Sequence, residues 1–352
     1  MNIHEKYIQR CIELSKKGLG FTKPNPSVGA VIVFEDKIIG EGYTSQYGGN
    51  HAEVNAIQSV TDESLLKEST LYVSLEPCSH YGKTPPCSQL IVNKKIPKVV
   101  IGVIDDNELV AGKGVEYLKN NGCEVVVGVL EEECRAINKR FFTFYKEKRP
   151  YIILKWAETK DGFIDRDRTN SGEVGPNWIS TKYSRQLVHK WRAEEQAILV
   201  GTNTVIADNP QLGVRTWAGQ NPIRLVIDNS MRIPHDYEVF DGSIPTIIFT
   251  SSKNLFEENL KENVTVEMLD YTKSIPVQIC DVLYQKNIQS VIIEGGARTL
   301  QSFILGNLWD EARVFVGDVT FGKGLEAPKI LGEIASIEHI HSDLLKTITP
   351  IK

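Results

Sequence analysis

The sequence is short of what a disulfide framework, a nucleic-acid clamp or a membrane span would need. Its 352 residues hold only six cysteines, Cys11, Cys78, Cys87, Cys123, Cys134 and Cys280. They are too scattered for the stapled frameworks of small secreted domains. Positive charge is in deficit: 40 Lys and Arg against 45 Asp and Glu leave a net charge of −5. A protein that grips a phosphate backbone normally carries a basic surplus. No apolar run approaches the roughly eighteen residues of a membrane span. The start, MNIHEKYIQRCIEL, has no basic stretch leading into an apolar one, so no secretory signal is read there. Internal repeats and low-complexity tracts are missing too. These absences point to a cytoplasmic protein that engages neither nucleic acid nor membrane, long enough for two domains with full cores.

What is present is an alternation of strand and helix patterns. Residues 4–17 put Tyr7, Ile8, Cys11 and Ile12 on one face, with Gly18 and Gly20 as stop signals. AVIVF (30–34) and KIIGEGY (37–43) read as a hairpin turned at Glu35-Asp36. HAEVNAIQSV suits a helix, TLYVSLE and KVVIGVI suit strands, residues 114–121 a helix, and CEVVVGV a further strand. The charged run KEKRP (146–150) ends this half, giving expected domains at 1–146 and 150–352. YIILKWA opens a second series that continues through AILVG (197–201), IRLVID (223–228), TIIFT (246–250), SVIIEGG (290–296) and ARVFVG (312–317). Such Val- and Ile-rich runs suit strands covered on both faces by helices. Both halves are therefore read as α/β.

The first half carries one dense cluster of reactive residue types. His51 and Glu53 stand two apart at the start of a helix pattern, and EPCSHYGKTPPC (76–87) follows a strand. One histidine and two cysteines are the ligand set of a catalytic zinc site that keeps a position for water. Zinc lowers the pKa of such a water from about 15.7 towards roughly 7. Glu53, not needed as a ligand, is placed to carry a proton from it to a leaving amine. H-x-E followed by P-C-x-x-C marks zinc nucleobase deaminases, but here the second cysteine lies nine positions on instead of three. Taken singly, the pieces are bland: His51 could cap a helix and Cys78 could be an inert buried thiol. A structural zinc would want a fourth ligand, for which His80 or Cys134 could serve, and this half would then be a non-catalytic zinc module.

The long cysteine spacing is itself informative. EPCSHYGKTPPC, together with PNPSVGAVIV (24–33), resembles the deaminase half of the bifunctional deaminase/reductase of riboflavin biosynthesis. The resemblance covers residues 1 to about 145 and implies a cytidine-deaminase-like α/β/α domain. It implies zinc on His51, Cys78 and Cys87, Glu53 as proton shuttle, and substrate contacts at Asn25, His80, Lys83, Asp105 and Asn107. The last two lie in DDNELVAGKG, where the family pattern DPNP has lost both prolines, to Asp106 and Glu108. A tRNA or nucleoside deaminase would share HAE and PC but favour the short cysteine spacing.

The second half has no G-x-G-x-x-G between a strand and a helix; its nearest string, from Gly322 to Ala327, runs straight into Pro328. The better phosphate site is EGGARTLQSF (294–303), where a strand ends in two glycines and a helix begins near Arg298. The same string could equally be a tight strand–helix turn. YIILKWAETKDG, NWIS (177–180), HKWRAEEQAILVGTNTVIADNPQLGVR and PIRLVID resemble the reductase half of the same family, over about 150–330.

That resemblance implies a dihydrofolate-reductase-like domain using NADPH. Its cofactor contacts would be Glu158, Trp178, Thr204, Asp208, Asn229, Gly296, Ala297, Arg298, Thr299, Leu300, Gln301 and Ser302. Its substrate contacts would be Arg192, Leu212, Arg215 and Glu294, with Lys155 in a catalytic position. Arg192 and Arg215 suit a sugar phosphate because planar guanidinium forks bind phosphate bidentately, although either could be a surface ion pair. Asp208 could instead stabilise the turn at Asn209-Pro210, and Trp178 and Trp191 could be core residues. Glu158 replaces a small residue of the family pattern, and a carboxylate beside a cofactor's phosphates would repel them, so it is expected to point away. Residues 166–177 are also longer and more polar than the pattern. The resemblance as a whole implies a homo-oligomeric enzyme acting on a small pyrimidine ribose phosphate. It would deaminate that compound with zinc, then reduce its ribosyl chain with NADPH.

Overall fold

A computed structural model describes residues 2–81, 85–107, 110–168, 174–251 and 260–351. The expected contact Lys83 and the substituted Glu108 lie outside the described residues. The chain divides into two units, Met1–Lys148 and Arg149–Lys352.

The first unit opens with α1 (Ile3–Ser15), held at its start by a capping box in which Asn2 and Glu5 satisfy each other's backbone N–H. Strands β1 (Gly29–Phe34) and β2 (Lys37–Tyr43) form the expected hairpin, with Glu35 and Asp36 both at positive φ, as its two-residue turn requires. Then come α2 (Ala52–Gln58), β3 (Thr70–Leu75), α3 (Cys87–Asn93), β4 (Lys98–Val103), α4 (Lys113–Asn120), β5 (Glu124–Val127), α5 (Glu131–Ile137) and α6 (Lys139–Glu147). The sheet order is β2-β1-β3-β4-β5, with β3, β4 and β5 parallel and β1 antiparallel to both its neighbours.

Alternation along the hairpin assigns the two faces. Gly29 looks towards α1, where a Cβ would lie 2.0 Å from the Cys11 carbonyl oxygen. Gly40 and Gly42, opposite Ile32 and Ala30 in register, look towards α2, where a Cβ would meet backbone atoms at 2.4–2.5 Å. The glycines let helices on both faces approach closely. Strand directions also bring the amino end of β1 and the carboxyl ends of β2, β3 and β4 to one edge of the layer. The loops bearing Asn25, His51, Cys78 and Asp105 all leave from that edge.

The second unit runs β6 (Tyr151–Thr159), β7 (Phe163–Arg166), α7 (Lys182–Glu194), β8 (Ala197–Gly201), α8 (Thr202–Asp208), β9 (Ile223–Ile227), β10 (Thr246–Thr250) and β11 (Val264–Met268). It continues with α9 (Ile275–Gln285), β12 (Ser290–Glu294), α10 (Ala297–Leu305), β13 (Glu311–Gly317), β14 (Gly324–Glu326), β15 (Glu333–Ile340) and β16 (Asp343–Thr349). Nine strands form one sheet in the order β11-β10-β9-β8-β12-β6-β13-β16-β15, parallel from β11 to β13 and antiparallel beyond. Val188, Trp191 and Val205 from α7 and α8 pack on one face of it, and Ile279, Leu283, Leu300 and Phe303 from α9 and α10 on the other.

The chain passes from β6 outward through β8 to β11, then returns to insert β12 between β8 and β6. Reversal of strand order opens a crevice at the carboxyl ends of the flanking strands, the general position of ligand sites in parallel sheets. The glycine string at 322–327 enters no helix; Gly324 lies in β14, paired antiparallel with β7.

Phe303 is 1% exposed, and truncating a buried aromatic to alanine costs about 3–5 kcal/mol. Phe303→Ala is therefore expected to lower the urea midpoint of the second unit strongly, while zinc bound per chain, measured by metal analysis, stays unchanged.

Candidate active sites

In the first unit, His51 is the residue before α2, Cys78 sits in the loop after β3, and Cys87 opens α3. Their ligand atoms lie within 4.8 Å of one another, and they are the metal-binding group found among the described residues. His51 Nδ1 is 3.7 Å from the Cys78 sulfur and 3.3 Å from that of Cys87. A tetrahedral zinc, with bonds of about 2.3 Å to sulfur and about 2.0–2.1 Å to nitrogen, would set such pairs about 3.6 Å apart. The donor set fits zinc in both chemistry and spacing. Cys134, one possible fourth ligand, is instead buried in the core, where its sulfur abuts Gly102.

The Cys78 thiol is electrostatically prepared, whereas hydrogen bonding to Cys78 and burial push the Cys87 thiol up. Cys78 is held well below the usual thiol range, at about 4, by hydrogen bonding to Cys87 and His51 and by the Cys87 backbone N–H at 3.4 Å. Glu53, in the first turn of α2, is 4% exposed. Burial, with the Cys78 thiolate adding, pushes its carboxyl up to about 7. A carboxyl poised near neutrality beside a metal site can both accept and return a proton.

Glu76 organises the neighbouring loop. Its buried carboxylate accepts backbone N–H groups from Asp105 at 3.2 Å, Gly112 at 2.9 Å, Gly114 at 2.9 Å and Val115 at 3.1 Å. One side chain thus holds residue 105 and residues 112–115 against the strand that leads to Cys78. Burial raises Asp105 to about 6, and its carboxylate caps the Asn107 N–H at 2.7 Å. Asp106, where the family pattern has proline, is clasped by both terminal nitrogens of Arg135 at 2.9 and 3.3 Å. An ion pair takes over the restraint that a proline ring would give.

In the second unit the crevice is a cavity of about 880 Å³ lined from β6, α7, β8, α8 and the β12–α10 turn. At its floor Glu294, ending β12, receives Arg192 Nε and Nη2 at 2.8 Å each, with Lys155 Nζ at 3.6 Å. Burial alone would raise the Glu294 carboxyl, but Arg192 and Lys155 reverse that and hold it at about 2. Burial lowers Lys155, which Glu294 partly offsets. Gly295 and Gly296 follow at φ 102° and 75°, and a Cβ on Gly295 would come within 2.9 Å of Thr204. This side-chain-free turn at the start of α10 fits the close approach of a dinucleotide phosphate, and the cavity falls in the size range of cofactor clefts.

Residues 150–347 match the family model described as RibD C-terminal domain, and residues 1–103 the cytidine and deoxycytidylate deaminase zinc-binding region. The chain is 42% identical to the riboflavin biosynthesis protein RibD of Aquifex aeolicus, over 95% of its own length and 90% of that protein. The chain belongs to the RibD family.

The RibD protein of Bacillus amyloliquefaciens is 37% identical over 99% of this chain and 94% of that protein. A crystal structure of a diaminohydroxyphosphoribosylaminopyrimidine deaminase/5-amino-6-(5-phosphoribosylamino)uracil reductase from Thermotoga maritima is similar over 99% of both chains, with a TM-score of 0.88 at 38% identity. The chain is accordingly a bifunctional RibD enzyme of riboflavin biosynthesis, a zinc-binding deaminase joined to an NADPH-using reductase. Among the described residues no helix is long and apolar enough to cross a membrane.

This RibD chain brings together His51, Glu53, Cys78 and Cys87, with Asp105 tied close by through Glu76. Asn25 and Asn107 are half-buried in loops at the same edge, and His80 is exposed. Lys155, Trp178, Arg192, Thr204, Asp208, Leu212, Arg215, Glu294, Gly296, Ala297, Arg298 and Thr299 all line the reductase cleft. Five others do not. Glu158 lies outside the lining, its carboxylate taking the Trp156 indole N–H at 2.8 Å. Asn229 is exposed beyond β9, and its carbonyl accepts the hydroxyls of Thr250 and Ser251. Helical rotation turns Leu300 into the core, Gln301 onto the Lys329 backbone and Ser302 back to the Thr299 carbonyl.

Arg192 differs from expectation in a further respect. Its fork is spent on Glu294, and its remaining terminal nitrogen donates to the Gly213 carbonyl at 3.1 Å. Asp208 is paired with Arg168 at 3.0 Å instead of merely stabilising the Asn209-Pro210 turn. Sequence reasoning missed Glu76, Arg168, Arg185 and His189. For the last two the signal was available, since Arg185, His189 and Arg192 recur at helical spacing on α7.

Glu76→Gln replaces a four-fold acceptor with a group that must turn an amide on two N–H donors. It is expected to cost about 3 kcal/mol by urea unfolding and to lower deaminase activity, with one zinc still bound per chain. Glu294 has its carboxyl depressed from 4.5 to about 2, so its stabilisation is full above about pH 4.5 and is lost as pH falls towards 2. The stability gap between wild type and Glu294→Gln should accordingly shrink over that window, measured by unfolding at fixed salt.

Proposed function

We propose that this enzyme deaminates a 2,5-diamino-6-ribosylamino-4(3H)-pyrimidinone 5′-phosphate and then reduces its ribosyl chain to ribityl. The observation that carries the reading is the coexistence in one chain of a His-Cys-Cys-Glu constellation and a cationic cleft ending in a glycine turn. Zinc, held by His51, Cys78 and Cys87, would supply the lowering of a water's pKa towards about 7. Glu53 then takes the proton at its carboxylate and hands it to the amino group that leaves as ammonia, the ring carbon gaining oxygen in exchange. Asn25, His80, Lys83, Asp105 and Asn107 are proposed to position the substrate.

NADPH would supply a hydride to the anomeric carbon of the opened ribose. Thr204, Asp208, Trp178 and the turn from Gly296 to Thr299 are proposed to hold that cofactor. Glu158, Leu300, Gln301 and Ser302 are left out of the group because their side chains are engaged elsewhere, and Asn229 because it lies exposed outside the cleft lining. Lys155, its pKa lowered by burial, is proposed to give the proton that the released ribose oxygen requires, while Glu294, braced by Arg192, keeps its ammonium in place. Leu212 and Arg215 are proposed as substrate contacts. A cytoplasmic setting and a homo-oligomeric state belong to the same reading, supported by the family resemblance and by the lack of a long apolar run.

Two variants separate the steps. Glu53→Gln is expected to keep zinc but lose at least about a hundredfold in ammonia release, with NADPH oxidation on pre-deaminated substrate unchanged. Lys155→Met should do the reverse. Deamination by a zinc-loaded Glu53→Gln at the wild-type rate would sink the proton-shuttle role.

A further inference from the structure

The cationic wall of the reductase cleft contains one group that the reading above does not use. His189 is 6% exposed yet lines the cavity. Its Nδ1 lies 2.6 Å from the Thr216 hydroxyl and receives the Thr216 backbone N–H at 3.4 Å. A nitrogen that accepts a backbone N–H carries no proton of its own, so the proton of the neutral ring sits on Nε2. Nε2 has no hydrogen-bond partner among the described residues and is not one of the fully enclosed unpaired polar atoms, so it is open to the cleft.

The surroundings specify what that donor meets. Arg185, His189 and Arg192 follow one another at spacings of four and three on α7 and present one face to the cleft. Arg192 is committed to Glu294 and Gly213. Among the described residues Arg185 bonds only a carbonyl, that of Ser180, and its guanidinium carbon lies 4.2 Å from the centre of the Trp178 ring. Arg215 makes no hydrogen bond or ion pair to the described residues. Lys155, Arg192 and Arg215 thus act on Glu294, and Arg185 acts on Arg215, a local surplus of positive charge that suits a dianion. A fifth positive charge is resisted: burial, then Arg192 and Arg215, press His189 down to about 4, so its ring is neutral at physiological pH. The glycine turn that suits the cofactor belongs to β12 and α10, whereas this corner is built from α7 and the loop of Arg215.

We infer that His189 contacts the substrate, its Nε2–H donating to a phosphate monoester held between Arg185 and Arg215. The inference rests on the reductase reading and names the end of the cleft where the sugar phosphate lies. The cofactor carries a phosphate monoester as well, so the experiment separates the two.

Inorganic phosphate is titrated calorimetrically into the full zinc-loaded chain, with and without saturating NADPH, alongside steady-state KM values for the pyrimidine substrate and for NADPH. Phosphate is expected to bind in the presence of NADPH. His189→Ala should weaken phosphate and raise the substrate KM about tenfold each, with kcat and the NADPH KM little changed. His189→Gln, which sets an amide N–H near the Nε2 position, should restore both to within about threefold, and the shorter His189→Asn should not. Equal losses in Gln and Ala variants, an effect on NADPH in place of the substrate, displacement of phosphate by NADPH, or no change in any variant would overturn the inference. The phosphate titration decides His189 even if wild-type chain oxidises no NADPH, a result that would count against the reductase reading alone.

Discussion

A carboxylate cannot be taken out of water without donors waiting for it, and two glutamates at the ends of parallel strands set that condition here. Glu294 closes β12 and Glu76 follows β3, both in the interior. An unpaired buried carboxylate costs several kcal/mol, and breaking such a pair typically costs about 3–5 kcal/mol. Each glutamate is therefore a point on which the surrounding geometry must agree. Glu294 draws Arg192 from α7 and Lys155 from β6 to one spot. Glu76 gathers the backbone of Asp105, Gly112, Gly114 and Val115 beside the zinc ligands.

The two units use a common architecture for opposite electrostatic ends. Each places its site where loops leave the carboxyl ends of parallel strands. In the deaminase unit the Cys78 thiol, held well below its usual range, offers negative charge, as a divalent cation requires. In the reductase unit cations outnumber the acid facing them, and the histidine among them is kept neutral. Lys155 shows the compromise: burial lowers it towards proton release, while Glu294 keeps enough charge on it to be useful.

How much of this was legible depended on whether a role is written in residue type or in placement. His51, Glu53, Cys78 and Cys87 could be read because few other chemistries need that set. The hairpin at Glu35-Asp36 and the parallel strands were visible in period and composition. The use of Arg192 was not, because a guanidinium that binds phosphate and one that braces a glutamate are the same letter. Glu158 could be suspected from charge alone, but its partner, the indole of Trp156, is settled only by the fold. Gly296 to Thr299 reach the cleft while Leu300 to Ser302 turn away, a distinction that a family pattern read as one block cannot make. His189 was passed over because its meaning depends on Thr216, a residue 27 positions away.

The central claim is that one chain performs a deamination and then a reduction on the same molecule. It is tested most directly by following ammonia release and NADPH oxidation together on purified, zinc-analysed protein supplied with the diaminopyrimidinone ribosylamino phosphate. The account predicts ammonia first and NADPH consumption only after it, with NADPH left untouched when zinc is removed unless deaminated product is added. NADPH oxidation on the aminated substrate before any ammonia appears, or ammonia release with no oxidation to follow, would contradict it.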